Sequence, residues 1–210
     1  YQPDALLNYL VLLGWNPGTE EEIFDLGSLV KNFDIRKVQK KSATYDQKKF
    51  NWISSQHIKK EDSDIVLNRL ASIDQRWSES RSQDYLIKII DLMKPRSNSL
   101  TDLIDQSLYL FSSPKEFDST QLQKIWKQDT AEIIIELKSV LGAINSWVAI
   151  ELESNFKSFM DQRGFGIGKV MKPMRFLICG SLQGPSLFDL MELIGKEESL
   201  NRICYAINEF

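Results

Sequence analysis

Apolar residues recur along this chain at intervals of three and four, the spacing of one helical face, in short stretches separated by Gly, Pro and Ser. Leu6, Leu7, Leu10 and Leu13 share a face of the first stretch, which Pro3 suits as an opening and Gly14 as a stop. Trp15-Asn16-Pro17-Gly18 then reads as a turn, and a short helix from about Leu26 has Leu29, Val30 and Phe33 inward. Asp46 is placed to cap a helix whose inner face is Phe50, Ile53 and His57. Asp62 or Ser63 caps a longer one carrying Ile65, Leu70, Ile73 and Trp77.

After a polar connector at 78–82, Tyr85, Leu86, Ile89, Ile90 and Met93 form an amphipathic stripe that must end near Lys94-Pro95. Ser99 with Asp102 opens the next helix, which carries Leu100, Leu103, Ile104 and Leu108, and Phe111-Ser112-Ser113-Pro114-Lys115 marks the clearest boundary. Beyond it, Ser119 caps a short helix. Ile134, Leu137 and Leu141 line a second, and Leu152, Phe156, Phe159 and Met160 a third that stops at Gly164. A glycine-punctuated loop precedes helices at Pro185 to Ile194 and Ser199 to Ile207. Only Phe176-Leu177-Ile178-Cys179 is ambiguous between helix and strand, and the fold class is all-α.

Composition narrows the chemistry. With one histidine, His57, in 210 residues, the chain cannot supply the paired histidines of most zinc sites. His57 reads as a packed or helix-end residue. The five tryptophans read mainly as core, and Cys179 and Cys204 as buried small apolar residues of a reducing compartment. No apolar run approaches membrane-spanning length and the start lacks the parts of a signal peptide, so a cytoplasmic location is expected.

The net charge of −3 conceals segregation. Between Lys31 and Lys60 stand Lys31, Arg36, Lys37, Lys40, Lys41, Lys48, Lys49, Lys59 and Lys60, opposed only by Asp34 and Asp46. Between Arg163 and Arg175 stand Lys169 and Lys172 with no acid at all. Positive charge gathered locally on an acidic chain suits a polyanion, although solvated helix faces would look the same. Gly164-Phe165-Gly166-Ile167-Gly168-Lys169 matches neither phosphate-loop pattern and follows a helix where both need a strand. It reads instead as a flexible loop that brings Lys169, Lys172 and Arg175 together, with Pro173 interrupting any helix that follows. Arg96, just past the helix-ending Pro95, is free to fork onto a phosphate or base edge.

Several stretches together resemble the C-terminal half of bacterial glutamyl-tRNA synthetases. Tyr1-x-Pro3-x-Ala5-Leu6-Leu7-Asn8-Tyr9-Leu10 with Leu12-Leu13-Gly14-Trp15 is similar to the segment after that family's second ATP-binding signature. Ser42-Ala43-Thr44-Tyr45-Asp46 and Lys49-x-x-Trp52 resemble its stem-contact region, though Thr44 and Ser54 depart from the usual pattern. Lys94-Pro95-Arg96-Ser97-x-Ser99-Leu100 is similar to its first anticodon-domain motif. Lys169-Val170-Met171-x-Pro173-x-Arg175 with Gly180-Ser181-x-x-x-Pro185-x-Leu187 is similar to its last.

The resemblance implies a remainder of the stem-contact region at 1–60, followed by two helical subdomains at 61–115 and 116–210 that form an anticodon-binding cage. It implies the tRNA-recognition part of a class I glutamate–tRNA ligase. Gln56-His57-Ile58-Lys59 and Lys40-Lys41-Ser42 do not make that family's catalytic signatures, so this chain alone is expected to be no enzyme. It is expected to hold no cofactor or metal, with ATP and Mg²⁺ needed only by the parent enzyme. By position, Arg96 reads the third anticodon base, and Arg175, Gly184 and Leu187 meet the others, Gly184 through its backbone. Arg36, Lys37, Lys40, Lys41, Lys48, Lys49, Lys169 and Lys172 contact tRNA phosphates, which position without specifying. The implied partner is tRNA(Glu), with tRNA(Gln) left open, and a monomer is expected. The competing reading is a helical protein-interaction domain whose basic patches are merely solvated.

Overall fold

The computed structural model describes residues 1–40 and 42–210, and among these the chain is all-α: fourteen α-helices, two 3-10 turns and an isolated antiparallel bridge between Trp15 and Val38. It separates into two compact units, Tyr1–Ser107 and Leu108–Phe210. The division expected at 60/61 falls inside the first unit, and the one expected at 115/116 compares with Ser107/Leu108.

The first unit contains α1 (Pro3–Gly14), α2 (Leu26–Asn32), α3 (Gln47–Lys60), α4 (Ser63–Ile73), α5 (Arg76–Glu79), α6 (Gln83–Met93) and α7 (Leu100–Gln106). Caps set their starts: Asp46 accepts from the backbone N–H groups of Lys48 and Lys49, and Ser99 from Asp102. Most of the expected inner face of α1 is its outer one, with Leu13 partly buried against the core as expected. Ala5, Asn8 and Tyr9 are buried, whereas Leu6, Leu7 and Leu10 face solvent. The helix is apolar almost all round, so its orientation is decided by better partners. Tyr9 packs on Phe50 of α3 at a ring separation of 5.0 Å, and the Asn8 amide is hydrogen-bonded inside through both its nitrogen and its oxygen. Val30 of α2, Phe33 just after it, and Ile65 and Ile73 of α4 are likewise exposed, whereas Leu29 and Leu70 go inward as expected, joined by Val66 and Leu67.

The second unit contains α8 (Leu108–Phe111), α9 (Ser119–Ile125), α10 (Thr130–Gly142), α11 (Ala149–Gln162), α12 (Gly168–Cys179), α13 (Leu187–Ile194) and α14 (Lys196–Glu209). Asp118, not Ser119, caps α9, accepting from Thr120 and Gln121. The ambiguous segment at 176–179 is helical, and α12 runs through Pro173. A proline there removes one backbone donor. The helix continues because Val170, Met174, Phe176, Leu177 and Ile178 are all fully buried and hold it against α9, α10, α13 and α14. Gly180, in the left-handed conformation at φ 69°, ends it.

Candidate nucleic-acid interface

Arg96 stands on a turn fixed from both sides. α6 buries Leu86, Ile89, Ile90 and Met93 and passes directly into the 3-10 turn Lys94–Arg96. Beneath it the buried Ser97 hydroxyl donates to the Met93 carbonyl at 3.0 Å, and Lys94 Nζ donates to Ser63 Oγ at 2.9 Å. Arg96 itself is exposed, and its side chain has no hydrogen bond or ion pair among the described residues. A rigid turn thus presents an uncommitted guanidinium to solvent.

The basic stretch of the first unit is more engaged than its sequence suggests. Arg36 is paired with Asp34 at 2.9 Å, and this pairing holds the Asp34 carboxyl below its ordinary pKa. Lys49 pairs with Glu22 at 2.5 Å, and Lys37 donates to the Pro17 carbonyl at 3.2 Å. Lys40 and Lys48 are exposed without a side-chain partner among the described residues, and Lys41 lies outside those residues. Trp52, one helical turn beyond Lys48, is 44% exposed. The expectation of core tryptophans holds fully for Trp15 and Trp77 and fails here, because α3 uses Phe50, Ile53 and Ile58 for its buried face.

His57 is half-buried with Nε2 2.9 Å from Asn8 Oδ1. Asn8 Nδ2 donates to the Glu22 carbonyl and Oδ1 accepts from Phe24 N–H, so His57 must donate to the same oxygen from a protonated Nε2. Burial holds the imidazole pKa below its usual value, and the residue serves as a packing element between α1 and α3.

In the second unit Lys169, Lys172 and Arg175 come from α12 itself, at successive intervals of three, and not from the glycine loop. Lys169 pairs with Asp129 at 2.5 Å and sits 4.1 Å from the centre of the Phe165 ring, while Lys172 is exposed. Arg175 is half-buried, and its Nη1 donates to the Pro185 carbonyl at 2.5 Å. That bond ties α12 to the 181–186 loop. Gly184 has φ 153°, and a Cβ there would come within 3.1 Å of Arg175 Nη1. Leu187, the first residue of α13, is 1% exposed, so its side chain belongs to the core.

Arg202 carries more of this geometry than its sequence position suggested. Only 4% exposed, it donates from Nη1 to the carbonyls of Tyr109 and Ile178, each at 2.8 Å, and from Nε to Glu198 at 2.7 Å. The available clue was register: Arg202 falls on the same face of α14 as Ser199, Ile203 and Ala206, an arginine within an apolar stripe.

Among the described residues no group of three or more His, Cys, Asp or Glu side chains is arranged to hold a metal ion, and no helix is long and apolar enough to cross a membrane. What the two units share is helices whose ends and loops display guanidinium and ammonium groups on fixed backbone, a frame suited to polyanion recognition.

Comparison with known proteins gives that class its identity. The model for the anticodon binding domain matches residues 66–207, and the chain belongs to that family. Its relatives include glutamate–tRNA ligases from Flavobacterium psychrophilum, 38% identical over 98% of this chain, and from Porphyromonas gingivalis, 32% identical over 99%. A crystal structure of the glutamate–tRNA ligase of Elizabethkingia meningosepticum in complex with its amino acid superposes with a TM-score of 0.88, at 32% identity over 99% of this chain. In each case the chain spans 41% of the relative's length. It corresponds to their anticodon-binding part.

Proposed function

We propose that this chain is the tRNA-recognition portion of a glutamate–tRNA ligase, gripping the anticodon arm of tRNA(Glu) while ATP-dependent attachment of glutamate takes place in the part of the polypeptide that the chain does not span. The observation that carries the reading is Arg96: an exposed guanidinium with no partner among the described residues, on a turn fixed by Ser97 and Lys94, within a chain of the anticodon-binding family. In this reading Arg96 forks onto the edge of the third anticodon base. Unpaired bases present those edges as helical ones do not. Arg175 and the backbone at Gly184 face the other anticodon bases. Leu187, with its side chain in the core, contributes by shaping the start of α13. Arg36, Lys37, Lys40, Lys41, Lys48, Lys49, Lys169 and Lys172 meet phosphates and fix register. The working form is a cytoplasmic monomer.

The test is equilibrium binding of unmodified tRNA(Glu), and of a transcript changed only at the third anticodon base, to wild type and Arg96→Ala across a salt series. Wild type is expected to prefer the natural base by about 1–3 kcal/mol, the worth of a bidentate pair, and the variant to lose that preference. A uniform loss across both transcripts would demote Arg96 to a phosphate contact. A folded wild type that binds neither transcript at low salt would overturn the reading.

A further inference from the structure

Tyr109 is the residue the basic pattern could not reveal. It stands half-buried on α8, and its hydroxyl oxygen lies 3.5 Å from the point a Cβ on Gly184 would occupy. Arg175 Nη1 lies 3.1 Å from the same point. A phenol and a guanidinium, from elements more than sixty residues apart, therefore converge on the one position of that loop with no side chain to hold them off. Three bonds keep them there. Arg175 donates to the Pro185 carbonyl, fastening α12 to the loop. The buried Arg202 donates to the Ile178 carbonyl on α12 and to the Tyr109 carbonyl on α8, so one side chain fastens the helix that carries Arg175 to the turn that carries Tyr109.

The chemistry of the pair is directional. Arginine and an aromatic residue at one place are a combination proteins use on unpaired bases, since a ring can stack on a base and a guanidinium can donate to its edge. Had the pair served packing alone, it would be expected inside the core beside Leu187 and Met174. Instead Tyr109, Arg175 and Gly184 are each partly exposed.

We propose that Tyr109 contacts the same unpaired anticodon base as Arg175 and helps to set the preference for it, an inference that rests on the anticodon-arm reading above. Gly184 then matters because a Cβ there would crowd the Arg175 guanidinium, and a longer side chain would compete for the space beside the Tyr109 hydroxyl. Arg202 is a positioning residue that holds the two elements in register without touching RNA.

The experiment measures affinity of wild type, Tyr109→Leu and Tyr109→Phe for tRNA(Glu) and for transcripts changed singly at each anticodon base, with circular dichroism melts as a check on folding. Tyr109→Leu is expected to bind the natural transcript on the order of tenfold more weakly and to lose preference at one base. Arg175→Gln should lose preference at that same base. Tyr109→Phe, which keeps the ring, should stay within about threefold of wild type if stacking supplies most of the contact. Folded Tyr109→Leu that discriminates as wild type does would overturn the proposal while leaving the anticodon reading intact. So would loss of preference at a base different from the one Arg175 governs. Wild type with no preference at any anticodon base would remove both.

Discussion

Arg202 shows how much a single side chain can hold. A guanidinium 4% exposed, with two main-chain carbonyls and a carboxylate as acceptors, is costly to bury and more costly to delete, because all three acceptors then lose this donor. Arg202→Met is expected to lower the unfolding free energy by about 2–4 kcal/mol, since each stranded buried acceptor costs about 1–3 kcal/mol and Glu198 can turn to water. Arg202→Lys should be intermediate, because an ammonium cannot reproduce a planar fork. Urea denaturation of the three proteins checks this, and a wild-type midpoint for the methionine variant would show that the carbonyls find other donors. Cys179 gives the contrasting case. Burial pushes its thiol up to about 12, so it stays protonated at neutral pH and behaves as the small apolar residue its composition suggested.

At the scale of elements, existence was far more legible than orientation. Asp46 and Ser99 announced their helices and do cap them, because a cap is a local bond between neighbours two or three residues apart. The inner face of α1 was illegible because the choice depends on Phe50, Phe24 and His57, whose positions no local pattern contains. Pro173 misled for a related reason: the local loss of one bond is real, but the buried residues of α12 outweigh it. The candidate site divides the same way. Arg96 could be read from a helix exit, whereas the bond from Arg175 to the Pro185 carbonyl and the triple anchorage of Arg202 depend on loop closure and tertiary packing. Gly180 tests an element boundary directly. Its φ of 69° would strain any other residue, and a Cβ there would come within a tight 3.1 Å of Pro114 Cβ. Gly180→Ala should cost about 1–2 kcal/mol through the left-handed penalty alone. A thermal melt should show a lower Tm with unchanged helical content at low temperature, and an unshifted Tm would mean that the end of α12 can relax without penalty.

For the whole molecule, charge matters through its arrangement. Of the eight cations expected to meet phosphates, Arg36, Lys49 and Lys169 already face Asp34, Glu22 and Asp129. Lys169 in turn holds the Asp129 carboxyl below its ordinary pKa, so the pair persists through neutral pH. These carboxylates act as counter-ions built into the protein. When such a cation moves to a phosphate, the nucleic acid releases a small ion but the abandoned carboxylate gathers one, and little net release follows. Eight free cations on duplex would give a slope of log affinity against log salt of about −7, and each cation already paired within the protein makes that value shallower by about 0.9. The shallower value is the one expected, and Asp129→Asn, by freeing Lys169, should steepen it by about 1. Filter binding across a potassium chloride series decides the matter, and an unchanged slope would mean that Lys169 meets no phosphate even when freed from Asp129. A chain that carries its own counter-ions keeps more of its grip as the surrounding salt rises than its count of lysines and arginines suggests.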